Sequence, residues 1–423
     1  MNRYSLPCSA PFKAFFEQVD DRSEITGQTN DDSKIKLMKN FIFNTVVIML
    51  ACFSSCQETT KEQKNTAVEH IKVDVQEKYP VGNFEDYFTS SKIIPLETIE
   101  NSLFAKINRL SLHKDKIFIL DRKSNAVLIF SNTGKFLNKI QDLGKGPGEY
   151  ASLMDFTIDK DNERIILYTD RPYKLITYGM DGKFLKEDLI SDLYLSIGYK
   201  DNKLLFRPIY TEKGKMFSTY DLETRKRKDF IGTDEKDKFF GSLGSSAPNI
   251  ISDKTIHVSL PYSEMIYEYD GNKFKPKYYI DFGRNKTPDN FFDNFKDLQG
   301  VFKYAKENRY VYGVSNFRES KDYITFSFQG ANIAIYSKAS KKTKVFSAIP
   351  NDHDRMAFYN YFAHDGDDNN LITVYPSDQF KMQMEIYKKN DDVWKKLPDY
   401  LKKIDENVSI SSNPLLHVYT FIE

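Results

Sequence analysis

Two stretches of this chain repeat one another at a fixed spacing, and no other feature constrains the fold so much. Ile119-Leu-Asp-Arg-Lys-Ser-Asn-Ala-Val-Leu-Ile-Phe130 is followed by Thr133-Gly-Lys-Phe-Leu137. Leu167-Tyr-Thr-Asp-Arg-Pro-Tyr-Lys-Leu-Ile-Thr-Tyr178 is followed by Asp181-Gly-Lys-Phe-Leu185. The two Gly-Lys-Phe-Leu copies, starting at Gly134 and Gly182, lie 48 residues apart. A period in the forties holding four short strands predicts a β-propeller blade. A single blade cannot bury its own apolar faces, so several must stack.

From Lys92 onward short apolar or alternating segments recur, among them Lys116–Leu120, Val127–Phe130, Arg164–Tyr168 and Ile256–Leu260. They are rich in Ile, Phe, Tyr and Val and are bounded by Asn, Asp, Gly or Lys, which reads as short antiparallel strands. Proline follows a strand end at Arg171-Pro172, Arg207-Pro208, Leu260-Pro261 and Tyr375-Pro376. Lacking an N–H, it closes the ladder at the corner between the second and third strands of a blade. Units at 105–140, 152–188, 194–231, 248–282, 313–349 and 358–421 predict an all-β, six-bladed propeller over residues 91–423. Its blades have four strands, and the strand Pro414–Ile422 completes the last one.

Two segments break the β pattern. Thr287-Pro288-Asp289 reads as a helix start, and Phe291, Phe295, Leu298, Phe302 and Ala305 follow as an apolar stripe. Val393, Leu397, Leu401 and Ile404 form a second stripe. Helical insertions are therefore expected near 287–306 and 377–405, packed on the propeller.

The start of the chain carries an address. Lys39 precedes the apolar run Phe41–Phe53, small residues Ser54 and Ser55, and Cys56, with no charge between Lys39 and Glu58. That order is a secretory signal peptide, and the run is too short for the roughly 20 residues of a membrane span. Phe53-Ser54-Ser55-Cys56 resembles a bacterial lipobox, which assigns 38–56 to a lipoprotein signal peptide and Cys56 to lipidation. Residues 57–90 then serve as tether and lead-in. Residues 1–37, charged with both signs, fit no signal peptide; a start codon placed too early accounts for them, with Met38 the true initiator.

Composition removes several function classes. Sixty-one basic residues against sixty acidic ones leave a net charge of +1, with no positive field for a nucleic-acid backbone. The three cysteines form no CxxC pair that would suggest zinc or redox chemistry. Among the six histidines no pair has the i, i+4 spacing of a helical metal site, and no GxSxG elbow occurs. No metal or cofactor is expected. Asp365–Asn370 lacks the glycine and glutamate of a calcium loop and reads as a hairpin turn. Gly144-Lys-Gly-Pro-Gly148 has the wrong spacing for a phosphate loop and reads as a link between blades.

Asp121, Asn125, Val127, Ile129-Phe130 and Gly134-Lys-Phe resemble the NHL-type propeller repeat. Gly144–Tyr150, the aromatic run Tyr262–Gly283 and Asn413-Pro-Leu-Leu resemble the six-bladed β-propeller lipoproteins of Bacteroidetes. The resemblance spans about residues 38–423. It implies a cell-envelope location, outer-membrane anchoring and a six-bladed fold, and it assigns no chemistry.

In a propeller the corners between second and third strands share a face with the links between blades. That gathers Asp121, Arg122, Asp170, Arg171, Arg207, Tyr262 and Gln329 around one mouth as a candidate ligand-binding face. The competing reading is that Asp121 and Asp170 brace their own turns. The functional expectation is a non-enzymatic platform, anchored to the membrane by lipid, that binds a glycan, peptide or envelope protein and not nucleic acid. The alternative is an NHL-like lyase or hydrolase with its site at the channel mouth.

Overall fold

The computed structural model describes residues 68–190, 194–208, 217–231, 250–252, 256–259, 263–288, 291, 295, 298–328, 332–351, 354–356, 363–366 and 369–422. The signal segment, Cys56, Tyr262, Gln329 and His353 lie outside them. The chain from Thr66 to Glu423 is one compact unit. Two strands open it, β1 (Glu69–Lys72) and β2 (Phe88–Pro95). The first sheet holds β3 (Arg109–His113), β4 (Lys116–Asp121), β5 (Ala126–Ser131) and β6 (Phe136–Ile140). The second holds β7 (Leu153–Asp159), β8 (Arg164–Asp170), β9 (Tyr173–Gly179) and β10 (Phe184–Leu189). In the third are β11 (Tyr194–Lys200), β12 (Lys203–Pro208), β13 (Phe217–Asp221) and β14 (Arg227–Ile231). The fourth contains β15 (Ile250–Ser252), β16 (Ile256–Ser259), β17 (Met265–Tyr269) and β18 (Phe274–Asp281).

Helix α1 (Leu298–Asn308) precedes the fifth sheet, β19 (Ser315–Glu319), β20 (Tyr323–Ser327), β21 (Ile333–Ser337) and β22 (Lys342–Phe346). The sixth begins with β23 (Ala363–Gly366) and β24 (Asn370–Tyr375). Helices α2 (Ser377–Lys388), α3 (Asp391–Lys396) and α4 (Asp399–Asn407) then intervene before β25 (Leu415–Phe421). Among the described residues these make six antiparallel sheets set in a ring, with the first strand of each sheet innermost: a six-bladed β-propeller.

The side-chain period of two explains the stacking. On β4 and β5, Phe118, Leu120, Val127 and Ile129 face the second blade and join Phe156, Ile158 and Ile165. The intervening Ile117, Ile119, Leu128 and Phe130 face the sixth blade and join Ile372, Val374 and Leu416. Middle strands are thus apolar on both faces, whereas the outermost β10 is largely exposed.

The ring closes differently from the expectation that the last strand completes the sixth blade. β25 takes the third place, and β2 lies outside it, in register from Phe88 against Phe421 to Pro95 against Leu415. β1 adds a fifth strand, parallel to β18, on the fourth blade. Both strands lie far from their partners in sequence, so no local pattern marks them.

The helices pack on the propeller. Phe380, Met384, Leu397 and Leu401 join Ile93, Met356 and Leu415, and the Asn390 side chain caps α3 by accepting from Val393 N at 3.2 Å. In α1 the buried face is Val301 and Ala305 with Phe291. Phe302, which the sequence stripe places on that face, is 39 % exposed. Val301 and Ala305 stand four residues apart on one side of the helix, and Phe302 lies a hundred degrees round from Val301. Among the described residues no helix is long and apolar enough to cross a membrane.

Candidate functional site

Antiparallel connection sends the turns of every blade to two faces. Turns between second and third strands share the mouth face with the links between blades. Turns between first and second strands, and between third and fourth, share the opposite face.

At the mouth, Asp121 is fully buried at the end of β4. Its Oδ2 accepts from Ala105 N at 2.8 Å and Ser124 Oγ at 2.7 Å, and its Oδ1 accepts from Lys123 N at 3.0 Å. This carboxylate braces its own turn. Arg122 beside it is exposed, and its Nε donates to the Met154 carbonyl on β7 at 2.6 Å, reaching the next blade. Asp170 is half-buried, with Arg171 Nε 3.6 Å from its Oδ1, and the Arg171 side chain is 74 % exposed. Arg207 lies on β12 opposite Ser196, only 4 % exposed, and burial pulls its pKa down to about 10.

The glycine-rich link between β6 and β7 offers no open anion nest. Gly146 N donates to Glu149 Oε2 at 2.7 Å, and Gly148 N donates to Glu187 Oε2 at 2.8 Å. Glu187 is held in turn by the buried Lys174 at 2.7 Å. Tyr178 pins the loop by donating to Asp142 Oδ2 at 2.9 Å and Gly148 O at 3.0 Å. Burial first, and then this bond to an acid, push the Tyr178 hydroxyl pKa well up. The loop is a structural link, as its place between two blades suggests.

One arrangement at this face was not anticipated. Arg109, the first residue of β3, donates from Nη1 to Asp155 Oδ2 at 2.8 Å and to the Ile197 carbonyl at 2.7 Å. Ile197 N donates back to Asp155 Oδ2 at 2.8 Å. Three inner strands, β3, β7 and β11, are thereby joined by one buried ion pair. Linear spacing carries no signal for it, since β7 holds two aspartates, Asp155 and Asp159, and β3 holds His113 as well as Arg109.

The comparisons with known proteins fit this architecture. Residues 69–420 match the family described as a domain of unknown function, DUF4934. The chain belongs to that family. No curated protein matches it. Among solved structures, a candidate exported protein of Bacteroides fragilis is 16% identical, with a TM-score of 0.66 over 84% of this chain and 99% of its own. A DUF4221-family member from Bacteroides vulgatus is 11% identical, with a TM-score of 0.43 over 79% of this chain and 97% of its own.

Two further polar clusters of this DUF4934 chain escape linear reading, because each is assembled from distant strands. Toward the face opposite the mouth, Glu319 at the end of β19 receives His257 Nε2 at 2.8 Å, Lys277 Nζ at 3.1 Å, Lys338 Nζ at 2.6 Å and Tyr278 Oη at 2.7 Å. Lys277 also pairs with Glu268. In the sixth blade, His417 Nε2 lies 3.1 Å from Asp354 Oδ2, which also accepts from Ser91, while Tyr419 Oη meets His417 Nδ1 at 2.7 Å. His257 is 4 % exposed and His417 fully buried, and both clusters tie together strands distant in the chain. Among the described residues no group of three or more His, Cys, Asp or Glu is arranged to hold a metal.

Proposed function

We propose that this protein is a non-enzymatic lipoprotein of the bacterial cell envelope, a rigid six-bladed platform of NHL-like repeats held by a lipid on Cys56. It binds a glycan, peptide or protein partner at its mouth. The observation that carries this reading is the rim itself. The exposed Arg122 and Arg171 heads stand on corners of one face, Asp121 braces the Arg122 turn, and the Arg109–Asp155 pair ties the inner strands β3, β7 and β11 together. Rigid corners presenting charged, hydrogen-bonding groups are what a concave recognition site requires. The envelope location draws support from the Lys39–Cys56 order and from the fold shared with the candidate exported protein of Bacteroides fragilis. The test is a glycan and peptide array probed with the purified protein. A ligand found there loses about tenfold in affinity, roughly 1.4 kcal/mol, with Arg171→Ala. Unchanged affinity in that variant removes this face from consideration.

A further inference from the structure

We infer that the ligand of the mouth is a neutral glycan, and that the hairpin corner of the second blade, residues 170–173, receives one of its sugar rings. This rests on the mouth being the binding face and deepens it by naming the ligand class and the side chains that read it.

The corner is held from several sides. Asp170 N donates to Ser152 O at 3.3 Å, Ala151 N to Arg171 O at 3.2 Å and Ile190 N to Tyr173 O at 3.0 Å. Thr169 Oγ1 donates to Pro172 O at 2.6 Å. Four consecutive residues are thus fixed before any ligand arrives, and a pre-set surface loses little freedom on binding. The same bonds occupy the main chain of the corner, and Pro172 has no N–H to offer. A peptide that docks as an added strand needs unpaired N–H and C=O groups, so this corner does not suit one.

Recognition falls instead to three side chains. Asp170 and Tyr173 are partners across the hairpin, so both point to the same face of the sheet. The Asp170 Oδ1 atom is covered, yet it has no hydrogen-bond donor among the described residues. Arg171 Nε stands 3.6 Å from it, beyond hydrogen-bond length. A covered acceptor of this kind calls for a donor from outside the chain, and the flexible Arg171 stem can yield to admit one. Tyr173 and the Arg171 head are both exposed. A sugar ring matches this set: its C–H face lies on the Tyr173 ring, and adjacent hydroxyls donate to Asp170 and accept from Arg171. Carboxylate and guanidinium balance in charge, and the carboxylate repels an acidic ligand.

The experiment probes the full chain against immobilised neutral oligosaccharides (glucan, mannan, galactan and xylan fragments), uronate-bearing and sulphated ones, and a peptide array. A neutral oligosaccharide should bind. Its affinity should fall at least tenfold in Tyr173→Ala and in Asp170→Ala, while Tyr173→Phe, which keeps the ring, should retain most of it. Asp170→Ala should leave the denaturation midpoint unchanged or raised, because the oxygen it removes has no donor in the folded chain. Tyr304→Ala, which removes an exposed ring from α1, should not alter affinity. Binding confined to acidic glycans or to peptides, and weakened by Arg171→Ala, overturns the ligand class and leaves the mouth as the binding face. A neutral glycan whose affinity survives both corner variants overturns the site, and one that survives Arg171→Ala as well overturns the mouth. Binding to none of the probes overturns the inference.

Discussion

Glu319 illustrates how much a single residue can hold in this fold. Burial alone would raise its carboxyl pKa, but hydrogen bonds and charge from His257, with Lys338 and Tyr278, outweigh it and hold the group well below its ordinary 4.5. A carboxylate with a depressed folded-state pKa stabilises fully above its unfolded value, and the contribution is lost as pH falls through the folded one. Glu319→Gln should therefore cost about 1–3 kcal/mol in urea denaturation at pH 7, because it removes the charge that the half-buried Lys277 and Lys338 share. The difference from the unmutated chain should shrink progressively below pH 4.5; a cost that stays constant down to pH 3 would refute the assignment. Asp121 is a simpler case. Its acidic type at the end of β4, three residues before Ser124, was readable as a turn brace, and its three hydrogen bonds make it one. Asp121→Ala should lower stability by about 2 kcal/mol while leaving the far-ultraviolet spectrum of the propeller intact. Arg109, Asp155 and His257 were not readable in this way. Their partners across the blades stand 42 to 88 residues away, and linear spacing carries no information about which inner strands meet.

At the scale of elements, the Gly-Lys-Phe-Leu repeat has a physical cause. Gly134 and Gly182 both adopt positive φ, 86° and 78°, in the turn between third and fourth strands. Each turn packs on the outermost strand of the preceding blade. A Cβ on Gly134 would strike the Pro95 carbonyl at the end of β2, and one on Gly182 would strike the Asn138 side chain on β6. Backbone cannot yield as a side chain can. Gly134→Ala should therefore destabilise by about 1–3 kcal/mol, and by more than Gly182→Ala, measured as the shift in denaturation midpoint. The interruptions were also legible as helices, since apolar residues at 3.6-residue spacing demand a partner surface. The buried face of α1 was not, because a short helix beside aromatic loops can turn either neighbouring residue inward, and packing against Phe291 selected Val301.

For the whole molecule, closure is the property that the parts do not contain. β2 completes the sixth blade from the other end of the chain, and Phe88 packs its ring in tilted contact 5.3 Å from that of Tyr419 and 5.0 Å from that of Phe421. Phe88→Ala should cost about 3–5 kcal/mol in a single cooperative transition if the closing strand belongs to the common core; loss of the sixth blade alone, as a separate early transition, would show otherwise. At this scale too, Cys56→Ala should abolish palmitate incorporation, and labelling that survives the change would remove the lipid anchor from the proposal. The amino-acid sequence by itself determined the strands, the blade period, their number and the glycine turns. Each of those follows from interactions within some 48 residues, where side-chain alternation and backbone restrictions act directly. Only the tertiary structure decided which strand seals the ring and which charges cross between blades. Those depend on contacts between segments from tens to hundreds of residues apart, whose pairing is set by ring geometry and not by any local preference.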